Sequence, residues 1–170
     1  MKKVEHFLES LIFNSRWLLV PFYIGLVFAI ALLLVKFAKE FMGFVGVVFT
    51  GSSTDVVIGI LTLIDVVLLS NLLLIIIFAG YENFVSKIDT ADSEDRPSWM
   101  GKVTFSDLKM KLIGSIVAIS GIELLKAFVE VGNGTLTNED LAWKVGIHMT
   151  FVVTGLLFAL SDWFGYDKKK

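Results

Sequence analysis

The sequence predicts an all-α protein that crosses a membrane four times. Of its 170 residues, 55% are hydrophobic and 19% charged, whereas soluble domains are about 45–50% apolar and about 25% charged. Mean hydropathy is +0.77. The apolar residues are gathered into four runs, each near the ~20 residues a helix needs to cross a bilayer. The chain, 1–170, reads as a single transmembrane domain with spans at about 17–35, 56–81, 112–131 and 145–163.

Residues 1–16 precede the first span. Val4, Phe7, Leu8, Leu11 and Ile12 share one helix face, and Glu5, His6, Glu9 and Ser10 the other. This segment either lies along the headgroups as an amphipathic helix or continues the first span. Trp17 to Val35 carries no charge and is bracketed by Arg16 and Lys36. Pro21 is best tolerated near a helix start, while Trp17 and Tyr23 suit the interface. Ala29-Ile30-Ala31 resembles a cleavage site but lies inside the apolar run, so a retained anchor is expected.

Phe41 to Phe49 is apolar, contains Gly43 and Gly46, and is too short to span. It is expected to dip into the outer interface or pack on neighbouring helices. Gly51 to Asp55 reads as a turn, with Asp55 as N-cap of the second span. That span, Val56 to Tyr81, holds one charge, Asp65.

The 82–111 segment is a polar loop. Its acidic stretch, Asp89 to Ser98, lacks the Gly and terminal Glu of a calcium loop and reads as a solvated turn. Thr104 and Asp107 have capping-box spacing, so the third helix starts before its apolar run. That run, Leu112 to Val131, gathers Glu123, Lys126 and Glu130 towards its end. Residues 132–140 form an outer turn. The fourth run, Val145 to Trp163, is interrupted by His148 and Asp162.

Basic residues set the orientation. Lys2, Lys3, Arg16, Lys87, Arg96, Lys102, Lys109, Lys111 and Lys168 to Lys170 fall on one side, and Lys36, Lys39, Lys126 and Lys144 on the other. Both termini and the 82–111 loop are therefore expected in the cytoplasm. Fifteen basic against 17 acidic residues give a net charge of −2, without the basic excess of a nucleic-acid binder. The lack of cysteine excludes disulfides and thiolate metal sites.

Ionisable residues within the spans carry the functional signal, because each costs about 2.5–3.5 kcal/mol at a helix centre. Asp65 is nine residues into its span, roughly 13 Å deep. Glu123 and Lys126 can pair along one helix face. His148, Gly155 and Asp162 recur every seven residues, and Gly155 leaves room for a neighbour or water. Two readings stand. Asp65, Glu123, Lys126 and His148 line a path with Asp162 near its inner end, or they are buried pairs, such as Asp65 with His148 or Lys126. Gly114, Ala118 and Gly121 give the third helix a small-residue packing face.

Catalytic signatures are lacking: there is no HExxH, Walker A or GxSxG motif. His148 has no second histidine for a zinc site, His6 being far away in the chain. No catalytic residue, cofactor or metal is expected.

Several blocks resemble the YqhA family of small bacterial inner-membrane proteins. They are Ser15-Arg16-Trp17-Leu18-Leu19 with Pro21, Tyr23 and Gly25; Leu63-Ile64-Asp65; Gly80-Tyr81-Glu82-Asn83-Phe84-Val85-Ser86; Ser115 to Ser120; and Ile147 to Val152. The resemblance implies a helical protein of the bacterial plasma membrane in a symmetric homo-oligomer, with a trimer the first expectation. It brings no substrate or reaction. It draws attention to Arg16 and Glu82, both expected at the cytoplasmic interface, where an ion pair would tie the first two spans together. The leading functional expectation is an oligomeric pore or transporter for a small ion or solute. The alternative is a non-catalytic structural or regulatory membrane protein that binds lipid or a protein partner.

Overall fold

The computed structural model describes residues 2–88, 105–132 and 134–167. The acidic 89–98 loop and Thr104 lie outside them. Every element is helical: α1 (Lys2–Asn14), a 3-10 turn (Ser15–Leu19), α2 (Val20–Thr50), α3 (Ser53–Phe84), α4 (Phe105–Gly132) and α5 (Asn138–Asp167). Four stretches are long and apolar enough to cross a membrane, within Val4–Thr50, Ser53–Phe84, Leu108–Gly132 and Asn138–Phe164.

The backbone runs from α1 to α2 without a loop. Pro21 explains the intervening 3-10 turn. In an α-helix residue 21 would donate to the Trp17 carbonyl, but proline has no N–H. Val20 N–H reaches that carbonyl instead, the tighter i to i−3 bond of a 3-10 helix. Proline then sits in the first turn of α2, where its missing donor costs little. The apolar face of α1 remains uncovered, with Phe7 65% and Ile12 69% exposed.

Three boundaries differ from the sequence expectation. The 41–49 stretch is no separate segment, since α2 continues unbroken to Thr50. The second span begins with Ser52, not Asp55, as its N-cap. Ser52 Oγ accepts from Asp55 N, and Asp55 Oδ2 accepts from Ser52 N at 2.9 Å. The fourth helix begins at Asn138, ahead of its apolar run. Thr137 and Asp140 make the same reciprocal bonds there, which satisfy N–H groups that a helix start leaves open. Between α4 and α5, Gly134 adopts φ 75°, a left-handed conformation that favours glycine.

The helices form a row. Packed seams join α2 to α3, α3 to α4 and α4 to α5, and among the described residues no such seam joins α2 to α5. The buried residues follow this order. Leu61, Val66 and Ala79 lie on α3, Val85 just after it, and Leu108 and Ala127 on α4. The outer helices α2 and α5 instead expose large apolar side chains, as a surface facing lipid can.

Glycine contacts fix the α2–α3 register. A Cβ on Gly59 would run into the Phe44 ring, and one on Gly80 would lie 2.8 Å from the Tyr23 hydroxyl. Both contacts mark the same antiparallel alignment, which puts Asp65 level with Ala38. The charge-free run of α2 ends at Val35. Asp65 therefore stands three residues past the end of that run, while it lies within the apolar run of its own helix, Val56 to Tyr81. Trp17 to Val35 is about 28 Å long, close to the ~30 Å hydrocarbon thickness. Past this limit the α2–α3 hairpin continues for about 20 Å more.

Candidate functional site

Charged residues of three helices meet at the level of Asp65. Lys126 of α4 places Nζ 3.6 Å from Asp65 Oδ2 of α3. The same ammonium donates to Glu123 Oε1 at 2.9 Å. Glu123 Oε2 in turn lies 3.9 Å from Lys144 Nζ of α5. Acids and bases alternate along this chain, and their formal charges cancel. The central Lys126 side chain is only 12% exposed, whereas Glu123 is 45% and Lys144 38% exposed. The network is thus covered in the middle and open at the α5 end.

Local sequence positions these groups. Glu123 and Lys126 are three apart and share a helix face. Ala127, fully buried, presents only a methyl group where α4 packs, and Val66 is buried beside Asp65. A groove at this end is separate from the network. Glu40, Thr50, Asp55 and Thr62 line this open groove of about 450 Å³ near the hairpin tip.

His148 sits one helical turn from Lys144 along α5 and has a different partner from those considered in the sequence. Its Nδ1 is 2.9 Å from Ser120 Oγ. Ser120 also donates to the Val117 carbonyl at 3.0 Å. A hydroxyl carries one proton. With it on Val117, the ring donates from Nδ1 and keeps Nε2 as an acceptor. Gly121 packs along the ring edge, since a Cβ there would be 3.6 Å from His148 Cε1.

Asp162 lies near the opposite end of α5, roughly 21 Å from His148. The space at Gly155 between them is filled. A Cβ on Gly155 would lie 2.8 Å from Ile113 Cγ2 of α4, so an aliphatic side chain interrupts the stripe.

No Arg16–Glu82 ion pair forms among the described residues. The Arg16 guanidinium lies over the Phe13 ring at 4.0 Å and 5.9 Å from Trp17. The electron-rich ring faces attract the cation in place of a carboxylate. Glu82 has contacts of its own. The small-residue face of α4 also divides. Gly121 meets α5, whereas Gly114 meets nothing within 4 Å. Gly114 and Ala118 line an open groove of about 530 Å³ with Asn71 of α3. The glycines in close contact with a neighbouring helix are instead Gly59, Gly80 and Gly155, which spacing within one helix does not mark. Their signal was a glycine opposite a large side chain across an antiparallel hairpin.

No group of three or more His, Cys, Asp or Glu able to hold a metal occurs among the described residues. The available chemistry is that of a neutral ion-pair chain and a Ser–His hydrogen bond.

A family model described as UPF0114, an uncharacterized protein family, matches residues 12–128. The chain belongs to this family, known as YqhA. The match runs from the end of α1 through most of α4. It includes Asp65, Glu123 and Lys126 of the YqhA chain, and it ends before α5. The Ile147–Val152 block and His148 therefore lie outside it. No solved structure matches the chain.

Proposed function

We propose that this YqhA-family chain is a non-catalytic protein of the bacterial plasma membrane that works by binding lipid or a protein partner. In this reading both termini are cytoplasmic, and the chain assembles as a symmetric homo-oligomer, with a trimer the first expectation. The observation that carries it is the closure of the embedded charges on one another, Asp65 to Lys126 to Glu123 to Lys144. A conduction path needs groups left free to exchange partners. Here the central ammonium is covered, and Ile113 fills the gap between His148 and Asp162.

A pore or transporter for a small ion or solute is the second reading. Its support is the partial exposure of Asp65, 28%, and Glu123, 45%. These edges would face a path between copies, not one through a single chain.

Proteoliposomes separate the two. Purified protein, its assembly checked by mass in mild detergent, is tested for flux of a panel of ions and protons, alongside Asp65→Asn. The binding reading expects no flux above empty vesicles and weaker stability in the variant. Flux that Asp65→Asn alters while the assembly stays intact overturns it in favour of the pore.

A further inference from the structure

Two cavities lie end to end between α2 and α3. The outer one, about 530 Å³, runs from Phe37 to Val27. The other, about 410 Å³, shares Val27 and continues to Tyr23, Tyr81 and Lys87. Together they form a furrow along the face of the row, about 25 Å long.

The two ends differ in chemistry. The outer compartment is lined by Ala31, Leu34 and Val67, and its one hydroxyl, Ser70, is spent on the Val66 carbonyl at 2.8 Å. It offers only hydrocarbon contacts. At the other end three hydrogen-bond donors line one cavity. Tyr23 and Tyr81 meet edge to face with centroids 5.9 Å apart. Among the described residues neither hydroxyl is given a partner, and no carboxylate lies within ion-pair distance of the exposed Lys87 ammonium. Lys87 lies just past the end of α3 and lines this cavity with Val20 and Tyr23, close to Trp17 at the edge of the charge-free run. That is headgroup depth.

A slot that is apolar along its length and cationic at headgroup depth complements one molecule type in both charge and shape. We propose that the α2–α3 furrow holds an acyl chain of an anionic phospholipid, with its phosphate bound by Lys87 and the Tyr23 and Tyr81 hydroxyls. The acyl chain covers apolar walls that no other helix of the chain covers. The phosphate gives the lysine its counter-charge and accepts from both phenols. This deepens the binding reading above by naming its ligand class.

Native mass spectrometry of the full chain, equilibrated with phosphatidylglycerol or phosphatidylcholine of identical acyl chains, tests the assignment. Phosphatidylglycerol should be retained in preference. Lys87→Ala should weaken its retention about fivefold, the effect of one basic residue near an anionic surface, and weaken that of phosphatidylcholine less, because the choline ammonium already neutralises its phosphate. Tyr23→Phe combined with Tyr81→Phe should act in the same direction. Ala31→Trp, at an exposed position in the outer compartment, should reduce retention of both lipids by filling the slot. Circular dichroism of each variant establishes that it is folded. Equal retention of the two lipids, or no effect of Lys87→Ala, overturns the headgroup assignment. No effect of Ala31→Trp overturns the furrow. If inorganic phosphate at matched concentration displaces the lipid completely, the site is a phosphate site and the lipid assignment fails. Failure here with no flux in proteoliposomes leaves the binding reading standing. Flux with selective lipid retention leaves the furrow standing and removes the binding reading.

Discussion

Tyr23 occupies the notch that Gly80 leaves in α3, its hydroxyl 2.8 Å from where a Gly80 side chain would begin. The contact draws α2 and α3 together near the inner end of their seam. Gly80→Ala must displace a ring, and overpacking of this kind costs about 1–3 kcal/mol. Gly25, with nothing within 4 Å of its own Cβ position, is the control. Gly25→Ala should be neutral or stabilise by up to about 1 kcal/mol, since glycine is a poor helix former. Thermal unfolding followed by circular dichroism in detergent should rank Gly80→Ala below the parent and Gly25→Ala at or above it.

Lys126 is the keystone of the charged layer because it contacts carboxylates on two helices. Lys126→Met leaves Asp65 without its cation and Glu123 with only the longer contact to Lys144. The expected loss is about 2–3 kcal/mol, below the range for fully buried pairs because the carboxylates are partly solvated. Asp65→Asn should cost about 1 kcal/mol, as Lys126 keeps Glu123. A double-mutant cycle should give a coupling above ~0.5 kcal/mol. Additive effects would show that the 3.6 Å contact contributes nothing.

The two capping boxes make a paired expectation. Ser52→Ala and Thr137→Ala each remove a side-chain acceptor from a helix start, at a cost of about 0.5–2 kcal/mol. Conservative replacements, Ser52→Thr and Thr137→Ser, should restore most of it. Hydrogen exchange at the amides of Asp55 and Asp140 reads the loss locally, with faster exchange in the alanine variants only.

Orientation is testable because the chain has no cysteine. Ser53→Cys at the hairpin tip should react with an impermeant thiol reagent from outside intact cells. Lys87→Cys should react only after the membrane is opened. The reverse pattern would turn the protein over and contradict the basic-residue distribution.

The four spans were legible because a bilayer demands long charge-free runs and the chain supplies them, from Trp17 to Val35 most plainly. Where the helices end was less legible. Hydropathy marks where lipid stops, not where hydrogen bonding stops, so the charges Lys36, Lys39 and Glu40 made the apolar 41–49 stretch read as a separate segment although α2 continues through it to Thr50. Asp65 was visible as an embedded acid, but its depth depended on the α2–α3 register. That register is set by the Phe44–Gly59 and Tyr23–Gly80 contacts, which join residues distant in sequence. Glu123 with Lys126 followed from spacing on one helix. The partner of His148 did not, because Ser120 is one of several serines and only the α4–α5 alignment selects it.

A row of helices that does not close has two dissimilar rims, α2 on one side and α5 on the other. Joining like rims uses a twofold axis and stops at a pair. Joining unlike rims repeats by rotation, and the assembly ends only if the turn per copy divides a full circle. The number of copies would then be decided by the angle between neighbouring rims. A substitution on α2 or α5 that tilts this angle by a few degrees would alter the copy number without touching the charged layer.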